Sequence, residues 1–125
     1  MLLLIVHLFR EINFERVEKN QTLLFQSLSQ APRHLIIPFQ THGTKYFRSM
    51  KFLGASGQQQ QEMLNGIDAL ITTEPGCCIC ISTADCIPVL LYDRVHHAVA
   101  AVHAGWRGTV EYIVGHTLEK MRAVF

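Results

Sequence analysis

Apolar residues recur at helical spacing between Asn13 and Gln30, where Phe14, Val17, Leu24, Phe25 and Leu28 fall on one face. Asn13 is a suitable N-cap, and Pro32 halts any continuation of the helix. His34 to Pro38 reads as a short strand, and Tyr46 and Phe47 open another extended segment. Lys51 to Asn65, with Gly54, Gly57 and the run Gln58 to Gln61, carries no sustained apolar period and reads as a surface connection or a poor helix. From Ile67 onward the texture changes. Ala69–Thr73, Cys77–Ser82, Ile87–Tyr92 and His97–His103 are nearly continuous apolar runs of strand length, with a Pro75-Gly76 turn between the first two. Such runs predict strands covered on both faces. Gly105 to Gly108 breaks the pattern. Thr109 is then placed to cap a last helix over Val110 to about Arg122, with Ile113, Val114, Leu118 and Met121 as its apolar face.

The pattern is that of an α/β chain, a mixed layered sheet with flanking helices. A hydrophobic content of 49% over 125 residues supports a core of that kind in one small domain or part of a larger one. The apolar start, Met1 to Phe9, is shorter than the roughly 20 residues that cross a bilayer. It also lacks the basic flank of a signal peptide, so it reads as a buried strand and the protein as cytoplasmic. Eleven Lys and Arg against ten Asp and Glu give no electrostatic case for nucleic acid or a membrane surface as partner. Cys77, Cys78 and Cys80 crowd one segment and Cys86 follows closely. That is not the spread of a secreted disulfide framework, and reduced thiols are expected.

Two polar corners stand at the ends of the apolar runs, where rigid strands hold side chains in place. Thr83-Ala84-Asp85-Cys86-Ile87-Pro88 carries a thiol, and His103-Ala104-Gly105-Trp106-Arg107-Gly108 carries an imidazole, an aromatic surface and a planar cation suited to phosphate. Residue type alone leaves these open. A buried cysteine is more often a small core residue than a ligand, Gly-Trp-Arg-Gly also suits a packing turn, and His42 has no ligand partner close by in sequence. Asp85 fits either a carboxylate that orients a ligand and assists proton transfer or a cap on its own turn.

Four blocks, taken in order, resemble the bacterial and animal laccase-domain family, once described as multicopper polyphenol oxidases. They are Gln40-Thr41-His42-Gly43, Asp68-Ala69-Leu70-Ile71-Thr72, Thr83 to Asp93, and Ala100 to Thr109. The last two are long and specific, and the resemblance runs from about Val17. It implies that His42, Cys86 and His103 bind one metal, zinc or alternatively copper. Two imidazoles and a thiolate suit zinc, and three protein ligands leave a fourth position open, as in catalytic sites. The implied chemistry is phosphorolysis of purine nucleosides, including methylthioadenosine, and deamination of adenosine. Cys86, His103 and Asp85 stand at the reaction, Arg107 and Trp106 at the substrate, and purine nucleosides and phosphate are the partners. Phenol oxidation, a thiol hydrolase with Cys86 as nucleophile and His103 as its base, and a non-catalytic fragment are the alternatives.

The chain departs from that family in three places. Its first twelve residues lack the family's glycine-rich opening, Gln21 stands where an arginine is common, and the family continues well beyond the position of Phe125. Residues 1–125 are therefore expected to form a single partial domain, incomplete relative to the family. A second copy or a complementary segment would then cover its open sheet edges.

Overall fold

A computed structural model describes residues 2–7, 14–49, 52 and 54–125. The elements run β1 (Leu2–His7), α1 (Phe14–Ser27), β2 (His34–Ile36), β3 (Tyr46–Arg48), α2 (Gly57–Met63), β4 (Ala69–Thr72), β5 (Cys77–Thr83), β6 (Ile87–Asp93), β7 (Ala98–Ala104), α3 (Trp106–Val110) and α4 (Ile113–Val124). The strands form two sheets. One has the order β1-β5-β2 with both pairings parallel, and the other has the order β3-β4-β7-β6. In the second, β3 joins β4 in parallel, whereas β7 is antiparallel to both its neighbours. The mixed α/β architecture expected from the alternation of runs is therefore present.

The core lies where β4, β5 and β7 bury both their faces. Side chains alternate across a strand, so each of these strands feeds two layers. Leu70, Val99 and Ala101 meet Ile36, Ile79 and Ile81 of the other sheet, together with Phe52, Leu64 and Ile67. On the opposite face Ala69 and Val102 pack with Ile113, and Ile71, Ala98 and Ala100 with Met121. The alanines of β7 let α4 lie close, and the buried stripe of that helix is Ile113, Thr117 and Met121, at i, i+4 and i+8. Thr117 is buried without penalty because its hydroxyl donates to the Ile113 carbonyl.

The structure departs from the predicted pattern in four places. The segment after β7 is two helices: Gly105, in an extended conformation, caps α3, and Tyr112 in the left-handed region separates it from α4. Thr109 therefore lies inside α3, donating its N–H to the Gly105 carbonyl, and caps nothing. Leu118, expected on the apolar face of α4, is exposed, and Thr117 takes its place. Along β6 only Val89 and Leu91 pack inward, whereas Ile87, Leu90 and Tyr92 are exposed, because β6 is the outer strand of its sheet. Finally, the stretch read as a connection or poor helix contains α2, which opens on a reciprocal cap between Ser56 and Gln59, and its flanks contribute the core residues Phe52 and Leu64. Val17, Leu24 and Phe25 of α1, and Leu28 just beyond its end, are half-buried as expected, and the proposed cap Asn13 lies outside the described residues.

Candidate metal centre

Three segments converge here: the loop after β2, the start of β4 at Asp68 paired with the end of β7 at His103, and the loop after β5. The first follows β2. Its Gln40 side chain makes both hydrogen bonds of a ladder rung with Ser82, donating Nε2–H to the Ser82 carbonyl at 2.8 Å and accepting the Ser82 N–H at 2.7 Å. This clamps the loop to the end of β5. Beyond Gln40 the backbone N–H groups of Thr41, His42 and Gly43 all turn toward the Asp68 carboxylate, at 3.2, 2.9 and 2.9 Å. His42 sits in this loop with φ at 62°, in the left-handed region, and the three N–H bonds to Asp68 hold the backbone there.

Asp68 also accepts a hydrogen bond from Nδ1 of His103 at 2.8 Å, and the His103 backbone N–H donates to the Asp68 carbonyl at 2.8 Å. The carboxylate is fully buried. Burial alone would raise its pKa, but the His103 hydrogen bond and the three backbone donors outweigh that cost and hold it below the usual value. An ionised carboxylate only accepts, so Nδ1 of His103 carries the hydrogen and Nε2 presents its lone pair. One buried carboxylate thus orients one histidine by its ring and another by its backbone.

The third segment joins β5 to β6 and carries Cys86, which is half-buried. One ligand atom each from His42, Cys86 and His103 lies within 4.8 Å of the others, and the two imidazoles meet edge to face. These three residues, expected together from the resemblance, are brought together by the fold. A thiol and two imidazoles around one point fit a borderline-soft ion such as zinc. They are the one group of this kind among the described residues.

The trio opens onto a cleft of about 480 Å³ whose walls include Pro38, Phe39, Gln40, Ser82, Thr83 and Asp85. Asp85 lies exposed there and makes no hydrogen bond with the trio. Trp106 and Arg107 lie on the outer surface of the first turn of α3, the guanidinium 5.1 Å above the indole ring, and neither lines the cleft. The ligand-orienting carboxylate is accordingly Asp68. The sequence showed it only as the first residue of a block opening a strand, and the partner that reveals its role is thirty-five positions away. Cys77, Cys78 and Cys80 are fully buried in β5, as expected of core thiols, and Cys80 is raised in pKa by the hydrogen bond with Cys78 and by burial.

Gly105 closes the centre from the side of α3. A Cβ added there would stand 2.7 Å from Cδ2 of His42 and 3.4 Å from Sγ of Cys86. Gly105→Ala is therefore expected to push the His42 ring aside and weaken metal binding at least tenfold, with a circular dichroism spectrum like that of the parent. Unchanged affinity in a zinc titration would show that the ring has room to yield.

The sequence matches the multi-copper polyphenol oxidoreductase laccase family over residues 11–125. The chain belongs to that family. Among its relatives, a purine nucleoside phosphorylase of Bacteroides thetaiotaomicron is 61% identical over 112 residues, covering 89% of this chain and 42% of that protein. An adenosine deaminase from an unknown prokaryotic organism is 40% identical over 88 residues, covering 70% of this chain and 34% of that protein. Among solved structures, YlmD of Geobacillus stearothermophilus superposes with a TM-score of 0.70 at 29% identity, covering 85% of this chain and 40% of that one. A Neisseria meningitidis protein superposes with a TM-score of 0.68 at 31% identity, covering 87% and 40%. This laccase-family chain thus spans about two fifths of the length of those solved relatives.

Proposed function

We propose that this laccase-family chain carries the metal centre of a zinc-dependent purine nucleoside phosphorylase that also deaminates adenosine and cleaves methylthioadenosine. The observation that carries the reading is the convergence of His42, Cys86 and His103 within 4.8 Å at a cleft, in a chain whose relatives include a purine nucleoside phosphorylase and an adenosine deaminase. A zinc ion held by the three would supply Lewis-acid polarisation and activate water near neutral pH.

The chain's own residues do the rest. Asp68 keeps Nε2 of His103 available and fixes the loop of His42. Asp85, exposed at the cleft, is placed to exchange protons with a leaving base or an attacking nucleophile. Arg107 and Trp106, the two residues after Gly105, would offer a cation and a flat face to phosphate and substrate arriving from the α3 side. In phosphorolysis, phosphate oxygen bonds to C1′ of the ribose while the glycosidic bond breaks and the base leaves with a proton. In deamination, water adds at C6 and ammonia departs. Among the described residues such donors are grouped once, a set that would hold one ion and that suits zinc better than the several coppers of a polyphenol oxidase. Four free thiols suit a reducing compartment, and we place the protein in the cytoplasm.

Purified zinc-loaded chain incubated with adenosine and phosphate is expected to yield adenine, ribose 1-phosphate and inosine. Adenine formation requires phosphate and inosine formation does not. Zinc bound and the fold intact with none of these products would favour a non-catalytic role for the chain.

A further inference from the structure

Phe39 is the largest apolar side chain at the cleft, and 70% of it is open to solvent. Its backbone is nevertheless held firmly. The Phe39 N–H donates to the Leu64 carbonyl at 3.0 Å, the Gly66 N–H donates to the Phe39 carbonyl at 2.8 Å, and the residue forms a bridge with Asn65. The ring is presented by a fixed scaffold and buries little of itself in the core, so packing does not explain it. Phe39 lines the cleft of His42, Cys86 and His103, and it also lines a second cavity of about 690 Å³. Gln61, Glu62 and Asn65 also line that cavity, two amides and a carboxylate, together with the apolar Phe52 and Leu64. An aromatic face flanked by amide and carboxylate groups is the chemistry that holds a planar nitrogen heterocycle, whose ring stacks while its edge donates and accepts hydrogen bonds.

We infer that Phe39 and the Gln61–Asn65 wall form a subsite for the heteroaromatic base of the substrate, joined across the Phe39 ring to the metal centre. This rests on the nucleoside reading in naming the ligand, but not on turnover. The carboxylate of Glu62 and the amides of Gln61 and Asn65 then read the ring edge, which gives the chain its means of distinguishing purines.

The test is binding by the intact zinc-loaded chain, measured by calorimetry and by saturation-transfer NMR with hypoxanthine, adenine and inosine as probes. The parent is expected to bind, with saturation strongest on the base protons. Phe39→Ala is expected to lose about ten- to a hundredfold in affinity, the range of one base stacked on an aromatic ring. Phe39→Trp should retain binding. Zinc content and the melting temperature of Phe39→Ala should match the parent, since the ring is mostly exposed. Equal affinity of parent and Phe39→Ala, or no binding of any probe by the parent, overturns the subsite. Binding by the parent that is lost in Phe39→Ala, with no turnover of nucleoside by either, upholds the subsite and removes the catalytic reading instead.

Discussion

Asp68→Ala is expected to unfold the chain or bring it to the margin of stability. Besides the Thr41 hydroxyl, four N–H donors lose their acceptor at once: Nδ1 of His103 and the backbone N–H groups of Thr41, His42 and Gly43. A buried donor left unpaired costs about 1–3 kcal/mol. Water reaches part of the 41–43 loop, so the full sum is not expected, and a loss on the order of 3–6 kcal/mol is reasonable. Small domains hold roughly 5–15 kcal/mol in all. Asp68→Asn separates shape from chemistry. The amide fills the same space but turns an NH₂ toward groups that donate, so one or two of the four hydrogen bonds are lost and the left-handed His42 is no longer enforced. The asparagine variant should fold with reduced stability and bind zinc far more weakly, as measured by urea denaturation and by competition against a chromophoric chelator. An alanine variant within about 1 kcal/mol of the parent would show that the loop has another anchor, since surface changes away from such features cost no more than roughly half that.

Asp68 also marks the limit of what the sequence disclosed. The strands were legible because β4, β5 and β7 are continuous apolar runs of strand length, bounded by the Pro75-Gly76 turn and by Gly105. Such runs state that a segment is buried, not which neighbours bury it, and β6 shows the consequence. Ile87-Pro88-Val89-Leu90-Leu91-Tyr92 reads like its companions, yet the topology puts it at the outside of its sheet, with Ile87, Leu90 and Tyr92 exposed and no residue fully buried. α2 carries a readable signal, Ser56 followed three positions later by Gln59, that the glutamine run obscured. The break between α3 and α4 turns on the left-handed Tyr112, and no local signal predicts that in a tyrosine. The three residues of the candidate metal centre came from matched blocks, not from spacing, because sixty-one positions separate His42 from His103, and the register of β4 against β7 together with the anchoring of the 41–43 loop on Asp68 closes that distance. The carboxylate that orients the two histidines is invisible to any rule on neighbouring residues.

Cys86→Ala is expected to abolish stoichiometric metal binding while leaving the metal-free fold intact. Cys86 is the only one of the four thiols that is not fully buried, so its loss removes little packing. Its thiolate is the one anionic donor among the three, and two imidazoles alone hold a divalent ion weakly, so an affinity loss of a hundredfold or more is expected. A ligand present at a hundred times its dissociation constant stabilises the folded state by about 2.7 kcal/mol. At that concentration of zinc the parent should therefore gain several degrees in melting temperature, and the alanine variant almost none. The same exposure provides a second measurement. In the metal-free parent, iodoacetamide should modify a single cysteine, with Cys77, Cys78 and Cys80 shielded in β5, and zinc should protect it. That protection also decides between a metal ligand and a free nucleophile paired with His103, which alkylates as readily with zinc present as without. Full zinc stoichiometry in Cys86→Ala, or alkylation of Cys86 unaffected by zinc, would remove the thiol from the metal centre and leave two histidines and a carboxylate that merely pack together.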